Sequence, residues 1–164
     1  MLVGLMSDTH DRLPMVDKAV ERLNSEDVEL VLHAGDYIAP FAAQRLRALK
    51  AKVIGVLGNN DGDAHLLKSR FEDFGGELRG LFAEVRVDGL KIALLHGHLE
   101  ELLKSLVESG GYQVVVHGHT HKAGARRVNG TLVVNPGEVC GYLSGKSTVA
   151  VLDTKTLEVR FLEL

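Results

Sequence analysis

The chain has 164 residues, 45% of them hydrophobic and 25% charged, which is typical of one globular domain over residues 1–164 and excludes disordered and fibrous chains. The net charge is −3, with no basic stripe and only 5% aromatic residues, so we expect no stable nucleic-acid partner. No apolar run approaches the ~18 residues that cross a bilayer and there is one cysteine, Cys140, so we expect no membrane partner and a cytoplasmic location.

The first half of the chain predicts parallel strands joined by crossover helices. Residues 2–6, 29–33 and 52–57 are short β-branched runs typical of buried strands. Pro14 and Pro40 each stand where the first turn of a helix tolerates proline. Helical spacing predicts three apolar faces: Met15, Val16, Ala19, Val20 and Leu23; Phe41, Ala42, Leu46 and Leu49; and Leu67, Phe71 and Phe74 before Gly75-Gly76.

The second half predicts antiparallel pairing. Asp88-Gly89 separates strands 82–87 and 90–95, and Asn129-Gly130 separates strands 126–128 and 131–134, both strong two-residue hairpin signals. Further strands are predicted at 114–117, 146–153 and 156–162. A helix is predicted with an apolar face of Leu99, Leu102, Leu103, Leu106 and Val107. These elements favour two mixed sheets packed face to face with helices outside, and a single sheet is the alternative.

Polar residues with metal-ligand potential follow successive strands of this prediction. They are Asp8 and His10, Asp36, Asn59, His96, and His119 with His121. Ligands bind beyond the carboxyl ends of strands in α/β sheets, so we expect these segments to converge on one site. In extended backbone, residues i and i+2 project to the same side, which predicts that Asp8 faces the site with His10, and His119 with His121.

The residues in these segments resemble the calcineurin-like metallophosphoesterase family. The resemblance is carried by Asp8-Thr9-His10, Gly35-Asp36, Gly58-Asn59-Asn60-Asp61, His96-Gly97-His98 and Gly118-His119-Thr120-His121. The five blocks stand in the family's order, and the short chain is similar to the small YfcE-type phosphodiesterases. The resemblance implies an α/β fold, a four-layer α/β/β/α sandwich of two mixed sheets flanked by helices.

The resemblance also implies a centre of two divalent transition-metal ions. Manganese is the first expectation, with zinc, iron, nickel or cobalt as alternatives. Carried over by position, it gives the first ion Asp8, His10, Asp36 and His121, and the second ion Asp36, Asn59, His96 and His119. Imidazole-rich ligation also favours transition metals over calcium or magnesium.

The activity implied by the resemblance is hydrolysis of a small or nucleotide-like phosphate ester. A hydroxide that bridges the two metals would attack phosphorus, and no covalent enzyme intermediate is required. His98, Asn60 and Asp61 are the candidate catalytic residues. Asn60 stands where many members of the family have a proton-donating histidine, and an amide cannot act as a general acid at neutral pH. His98 could supply that proton or contact phosphate, and a solvated residue at a helix start is the alternative.

A second reading of the chain is a metal-binding interaction scaffold. The retromer subunit with this fold resembles these phosphoesterases and serves chiefly as a binding surface. The complete ligand set favours the enzyme, because a scaffold has no chemical need for all seven positions. We therefore expect a small phosphate ester as the partner of the chain, and a homo-oligomer is left open.

Overall fold

The computed structural model describes residues 1–164 as eleven strands and four helices. The strands are β1 (Leu2–Met6), β2 (Leu30–His33), β3 (Lys52–Gly55), β4 (Glu77–Leu78), β5 (Phe82–Val87), β6 (Leu90–Leu95), β7 (Val114–Val116), β8 (Gly124–Val128), β9 (Thr131–Asn135), β10 (Thr148–Asp153) and β11 (Val159–Glu163). The helices are α1 (Leu13–Ser25), α2 (Pro40–Leu46), α3 (Ala64–Glu72) and α4 (Glu100–Glu108). None of the four helices combines the length and hydrophobicity needed to span a bilayer.

The strands form two mixed sheets. The first has the order β11-β10-β1-β2-β3-β4, in which β1 to β4 run parallel. The second has the order β5-β6-β7-β9-β8, with β6, β7 and β9 parallel and a hairpin at each edge. Two sheets with helices on their outer faces confirm the predicted four-layer architecture, and the single-sheet alternative is wrong.

Alternation along the strands divides the apolar residues among three layers. Seventeen buried residues from both sheets pack face to face, among them Leu5, Leu32 and Ile92. The other face of the first sheet packs on α1, α2 and α3 through 21 buried residues. The outer face of the second sheet has only α4 and a cluster of five buried residues. The molecule is therefore well covered on one side and thinly covered on the other.

Local sequence signals account for most element boundaries. Pro14 and Pro40 lie in the first turns of α1 and α2, where their missing N–H costs no hydrogen bond. The Asp63 carboxylate caps α3 by accepting from the Leu66 amide at 2.9 Å. The hairpin strands β5 and β6 have the predicted bounds, and Gly89 takes a left-handed φ of 80° in their turn.

Three details of the sequence prediction are wrong. The strand β4 has only two residues and was not predicted. Phe41 is 61% exposed, although α2 was expected to bury it. Leu99 and Leu102 are also exposed, so the apolar face of α4 is narrower than its periodicity indicates. A single short helix on the second sheet leaves no neighbouring helix to cover these side chains.

Candidate metal centre

Five polar side chains from four segments converge beyond the carboxyl ends of parallel strands in both sheets. They are Asp8 and His10 after β1, Asp36 after β2, His96 after β6 and His121 after β7. The Nε2 atoms of His10 and His96 lie 3.4 Å and 3.3 Å from Asp36 Oδ2. The Nε2 atoms of all three histidines also lie within 4.0 Å of Asp8 Oδ1, with that of His121 nearest at 3.3 Å. The carboxylates of Asp8 and Asp36 thus lie close to the three imidazole rings.

This cluster contains buried polar atoms that have no hydrogen-bond partner. They are Asp8 Oδ1, His10 Nε2 and His96 Nε2. Such atoms are uncommon in folded proteins, because burial removes their hydration without a replacement. Ligand atoms of Asp8, His10 and Asp36 also lie within 4.8 Å of one another. Carboxylate oxygens and imidazole nitrogens grouped in this way fit divalent metal ions, which would satisfy the unpaired atoms.

Hydrogen bonds on the far side of two imidazole rings decide which nitrogen faces the cluster. His96 Nδ1 lies 2.7 Å from the Ala34 carbonyl oxygen, and His121 Nδ1 lies 2.8 Å from Glu138 Oε2. Both partners are acceptors, so each neutral ring carries its proton on Nδ1. The Nε2 lone pair of each ring is then directed at the cluster, as metal ligation requires.

The backbone that presents the candidate ligands is left-handed rather than extended. Asp8 has a φ of 53° and His10 of 41°, while His119 and His121 have φ values of 67° and 60°. The prediction that each pair faces the site through extended alternation is therefore wrong. The Asp8 amide donates to the Gly35 carbonyl, and the His10 amide donates to the Asp36 carbonyl. These two hydrogen bonds join the loops after β1 and β2 and bring Asp8 and His10 together.

Two glycines leave room for the aspartates. A Cβ on Gly58 would lie 2.0 Å from Asp36 Oδ1, and one on Gly118 would lie 2.6 Å from Asp8 Oδ2. Any side chain at either position would displace a carboxylate from the cluster. Glycine at these two positions thus has a steric basis, because only glycine lets the backbone approach the carboxylates this closely.

The loop after β3 holds Asp36 from outside the cluster. Asn60 donates to both oxygens of Asp36, from its backbone N–H at 3.0 Å and from Nδ2 at 2.8 Å. The Asp61 carboxylate accepts from the backbone amides of Asp36, Tyr37, Ile38 and Gly58 at 2.6–3.1 Å. Both Asp61 oxygens are occupied by main-chain donors, an arrangement that shapes the turn rather than presenting a reactive group.

The remaining candidates lie at the open side of the cluster. Asn59 is exposed, and its side chain makes no hydrogen bond. The His119 ring is half-buried, 5.1 Å from the ring of His96 and 6.3 Å from that of His98. His98 Nδ1 is buried without a partner, and burial together with the neighbouring histidines lowers the pKa of His98. The structure therefore brings these rings together, whereas the Asn59 side chain is exposed and has no hydrogen-bond partner.

The electrostatics of the cluster are dominated by its two carboxylates. Contacts with Asp36 and Asp8 raise the pKa of His10 to about 9. Burial lowers the pKa of His96, but the same carboxylates outweigh burial and raise it. Burial would raise the pKa of Asp36, yet contacts with His10, His96 and Asn60 hold it far below its usual range. The cluster thus attracts cations, whether these are protons or metal ions.

Glu138 is a residue of this region that sequence reasoning missed. It follows β9 and is fully buried, with its carboxylate on His121 Nδ1. The sequence places it directly after Asn135-Pro136-Gly137, which reads as an ordinary turn. The available signal was an acidic residue followed by the apolar pair Val139-Cys140, since a buried carboxylate needs a partner.

A family model described as the calcineurin-like phosphoesterase superfamily domain matches residues 1–157 of the chain. Among curated proteins, the phosphodiesterase MJ0936 of Methanocaldococcus jannaschii is 44% identical over 161 residues, which cover 98% of this chain and 97% of that protein. The phosphodiesterase YfcE of Escherichia coli is 27% identical over 175 residues, covering 97% and 91% respectively. The YfcE-type resemblance read from the motifs is thereby confirmed.

A solved structure described as that of a novel archaeal phosphodiesterase superimposes on the chain with a TM-score of 0.95. The sequence identity is 43%, and the alignment covers 100% of both chains. The similarity therefore extends over the whole fold, including all the loops that carry the candidate ligands.

Proposed function

This chain belongs to the calcineurin-like phosphoesterase superfamily, and on that premise we propose that it is a phosphodiesterase that hydrolyses a small phosphate ester with two divalent metal ions. The observation that carries the proposal is the cluster of buried, unpaired carboxylate and imidazole atoms at the strand ends. A scaffold that served only as a binding surface would gain nothing from burying these atoms without partners.

We assign the candidate ligands to two sets that share Asp36. The first ligand set is Asp8, His10, Asp36 and His121, and the second ligand set is Asp36, Asn59, His96 and His119. Two divalent ions against two carboxylates leave a charge of about +2, which attracts a phosphate ester. The four imidazoles favour transition metals, with manganese as the first candidate and zinc, iron, nickel or cobalt as alternatives.

The bound ions would supply Lewis acidity toward the phosphoryl oxygens and lower the pKa of the attacking water. The residues of the chain orient that chemistry. Asp36 presents one oxygen to His10 and His96, while Asn60 fixes the rotation of its carboxylate. We therefore propose that Asn60 positions Asp36 and does not donate a proton to the leaving group.

Asp61 and His98 complete the assignment. The Asp61 carboxylate accepts hydrogen bonds from backbone amides of the loops after β2 and β3. We therefore propose that Asp61 positions Asp36, and not that it has the catalytic role expected from the sequence. His98 lies beside His96 at a ring distance of 5.6 Å and is the group we propose to meet the substrate. Its lowered pKa leaves it mostly neutral at pH 7, so only a small fraction of the protein carries the proton that His98 would donate.

We also propose that residues 1–164 act as one domain in the cytoplasm. The first sheet supports one domain, because β10 and β11 from the end of the chain continue it from β1. The single cysteine, Cys140, is a buried free thiol, which suits a reducing compartment. Cell fractionation of the tagged chain tests the location, and recovery with the membrane fraction would contradict it.

The experiment that tests the function is metal reconstitution followed by an activity panel. Protein stripped with a chelator is reloaded with Mn²⁺, Zn²⁺, Fe²⁺, Ni²⁺ or Co²⁺, and bound metal is measured for each. Phosphodiesters and phosphomonoesters are then assayed in parallel. We expect two ions per chain and hydrolysis of diesters, whereas two bound ions without hydrolysis of any ester would favour the scaffold.

A further inference from the structure

Glu138 is a charged residue buried in a segment to which the activity assigns no role. Its carboxylate accepts six hydrogen bonds from five donors without contacting solvent. Oε2 accepts from His121 Nδ1, Cys140 Sγ and the Tyr142 amide at 2.8–2.9 Å, and from the Leu143 amide at 3.3 Å. Oε1 accepts from the amides of Leu143 and Ser144. One carboxylate thus binds a candidate metal ligand and a whole turn of backbone.

These partners require the ionised form of Glu138. All of them donate, and only a carboxylate has acceptor sites on both oxygens for so many donors. Burial alone would raise the pKa of Glu138, but hydrogen bonds from Cys140, His121 and Ser144 outweigh it and lower the pKa to about 2. A carboxylate behind His121 keeps its ring in the Nδ1–H tautomer and makes Nε2 a better ligand.

The same turn is held from the other side of the first ligand set. Arg12, two residues after His10, donates through Nη1 to the Cys140 carbonyl oxygen. Its guanidinium also lies over the Tyr142 ring, 5.4 Å from the ring centroid. The segment from Cys140 to Ser144, here called the Tyr142 turn, is thus attached to the segments that carry His121 and His10. It presents Tyr142 and Leu143 to solvent, 60% and 74% exposed.

We propose that Glu138 is a positioning residue that sets the tautomer of His121 and couples the order of the Tyr142 turn to occupancy of the first metal site. The proposal rests on the proposed function, because it needs a metal ion on His121. Coupling of this kind is reciprocal: metal binding orders the turn, and a loosened turn weakens the metal. Tyr142 and Leu143 would then be held more firmly in the metal-loaded enzyme than in the metal-free one.

The first test measures metal affinity in the variant Glu138→Gln. The glutamine amide keeps the size of the side chain but turns a donor toward donors and removes the charge. We expect one of the two ions to bind about 10–100-fold more weakly in competition with a chelating dye, the loss typical of such partners. Glu72→Gln, on the exposed face of α3, is the matched control and should bind as the unmodified chain does. Unchanged affinity for both ions in Glu138→Gln would overturn the proposal.

The second test follows the Tyr142 turn directly. The chain contains no tryptophan, so Tyr142→Trp introduces a single fluorophore in the turn. Zinc titration should change its emission and reduce its quenching by acrylamide, and Glu138→Gln in the same background should remove most of that change. A mere loss of folding stability would lower the melting temperature but leave the metal-dependent signal in the folded protein. An equal signal with and without Glu138 would refute the coupling.

The third test needs no substitution at Glu138 and covers the case in which that variant does not fold. Histidine labelled with ¹⁵N reports the tautomer of each ring in the zinc-loaded chain, and His121→Asn identifies the resonance of His121. We expect a proton on Nδ1 of His121, and a bare Nδ1 would overturn the assignment of Glu138. If the unmodified chain bound no metal at all, the proposed function would fail instead, which separates the two failures.

Discussion

The two ligand sets differ in how firmly the fold holds them. In the first set, Asp8 and His121 are buried, and the His121 ring is fixed from behind by Glu138. Apart from the shared Asp36, the second set has one buried ligand, His96, which the Ala34 carbonyl fixes from behind, while Asn59 is exposed and His119 half-buried. Preorganised ligands lose little conformational entropy on binding, so the first site should be the tighter one. We therefore expect substrate to enter at the open second site.

The largest effect is expected at Asp36, the residue that the two ligand sets share. Replacing Asp36 by Asn removes the carboxylate that both sets share, so both ions should be lost and turnover should fall by at least about 10³-fold, more than removal of one charge-stabilising group. Bound metal and hydrolysis rate are measured together. Asp73→Asn, an exposed carboxylate paired with Arg70, is the control. Two retained ions with near-normal hydrolysis would contradict the assignment of Asp36.

At the open side of the cluster, we also expect the rate of hydrolysis to depend strongly on the leaving group of the ester. Asn60 is bound to Asp36, and His98 is mostly neutral at pH 7 because its pKa is lowered, so the leaving group departs largely as an anion. Esters of phenols should therefore be cleaved about 10²-fold or more faster than esters of alkyl alcohols, the range that general acid catalysis covers. A series of phosphodiesters with graded leaving groups measures this slope.

The variant His98→Ala tests whether His98 donates the proton to the leaving group. If His98 supplies it, the variant slows alkyl esters selectively and leaves nitrophenyl esters nearly unchanged. A flat series in the unmodified chain that becomes steep in His98→Ala would show that the departure of the leaving group is already acid-assisted, contrary to our expectation.

Stepwise metal titration sharpens the comparison between the sets. His121→Asn should weaken the tighter binding step by about 100-fold, because it removes a ligand and one of the donors to the buried Glu138 carboxylate. Asn59→Ala should weaken only the looser step, by about 10-fold, since the exposed amide is not held in place. Calorimetric titration with Mn²⁺ resolves the two steps. Equal losses in both variants would mean that the sets do not differ.

The stability of the metal-free protein should fall as the pH rises from about 6.5 to 9. Folding raises the pKa of His10 from 6.5 to about 9, so the stabilisation is complete below 6.5 and is lost as the pH rises through 9. Asp36, whose pKa is lowered, stays ionised throughout this window and adds no slope. Urea unfolding at several pH values measures the effect, which should reach at most about 3 kcal/mol. His10→Gln should remove most of the slope and leave the smaller part that comes from the raised pKa of His96, whereas an unchanged slope would contradict the assignment to His10.

The smallest effect is expected at Asn60, whose side chain contributes one of the two hydrogen bonds that it makes to Asp36. Asn60→Ala keeps the backbone N–H donor and removes the amide donor at 2.8 Å. A hydrogen bond to a charged group contributes about 1.5 kcal/mol at the low end of its usual range, and the Asn60 residue is exposed, so metal affinity should drop by no more than about 10-fold. The same titration measures it. A loss as large as that of Asp36→Asn would make Asn60 itself a ligand.

The fold was predictable because its strongest signals are local. The Asp88-Gly89 turn defines β5 and β6, and Pro40 marks the start of α2. The convergence of Asp8, Asp36 and His96 followed from one general rule about strand ends. By contrast, the exposure of Leu99 depends on what covers the second sheet, which no periodicity within α4 encodes.

The candidate site was harder to predict where its contacts are long-range. Glu138 reaches His121 across 17 residues and two strands, and the turn that surrounds it has no motif. The tie between Asn60 and Asp36 is likewise a contact between two loops. The left-handed backbone of Asp8 and His10 contradicted an argument from alternation, because hydrogen bonds to the loop after β2 override the preference of the strand.

That left-handed backbone has a consequence for how the protein can evolve. Five candidate ligands adopt φ values between 41° and 67°: Asp8, His10, Asp36, His119 and His121. Such conformations cost non-glycine residues of order 1 kcal/mol or more each, a sizeable fraction of the ~5–15 kcal/mol that stabilises a typical domain. Selection for heat resistance alone would favour glycine or asparagine at these positions and so erase the site. A lineage released from catalysis should therefore gain stability as it loses its ligands.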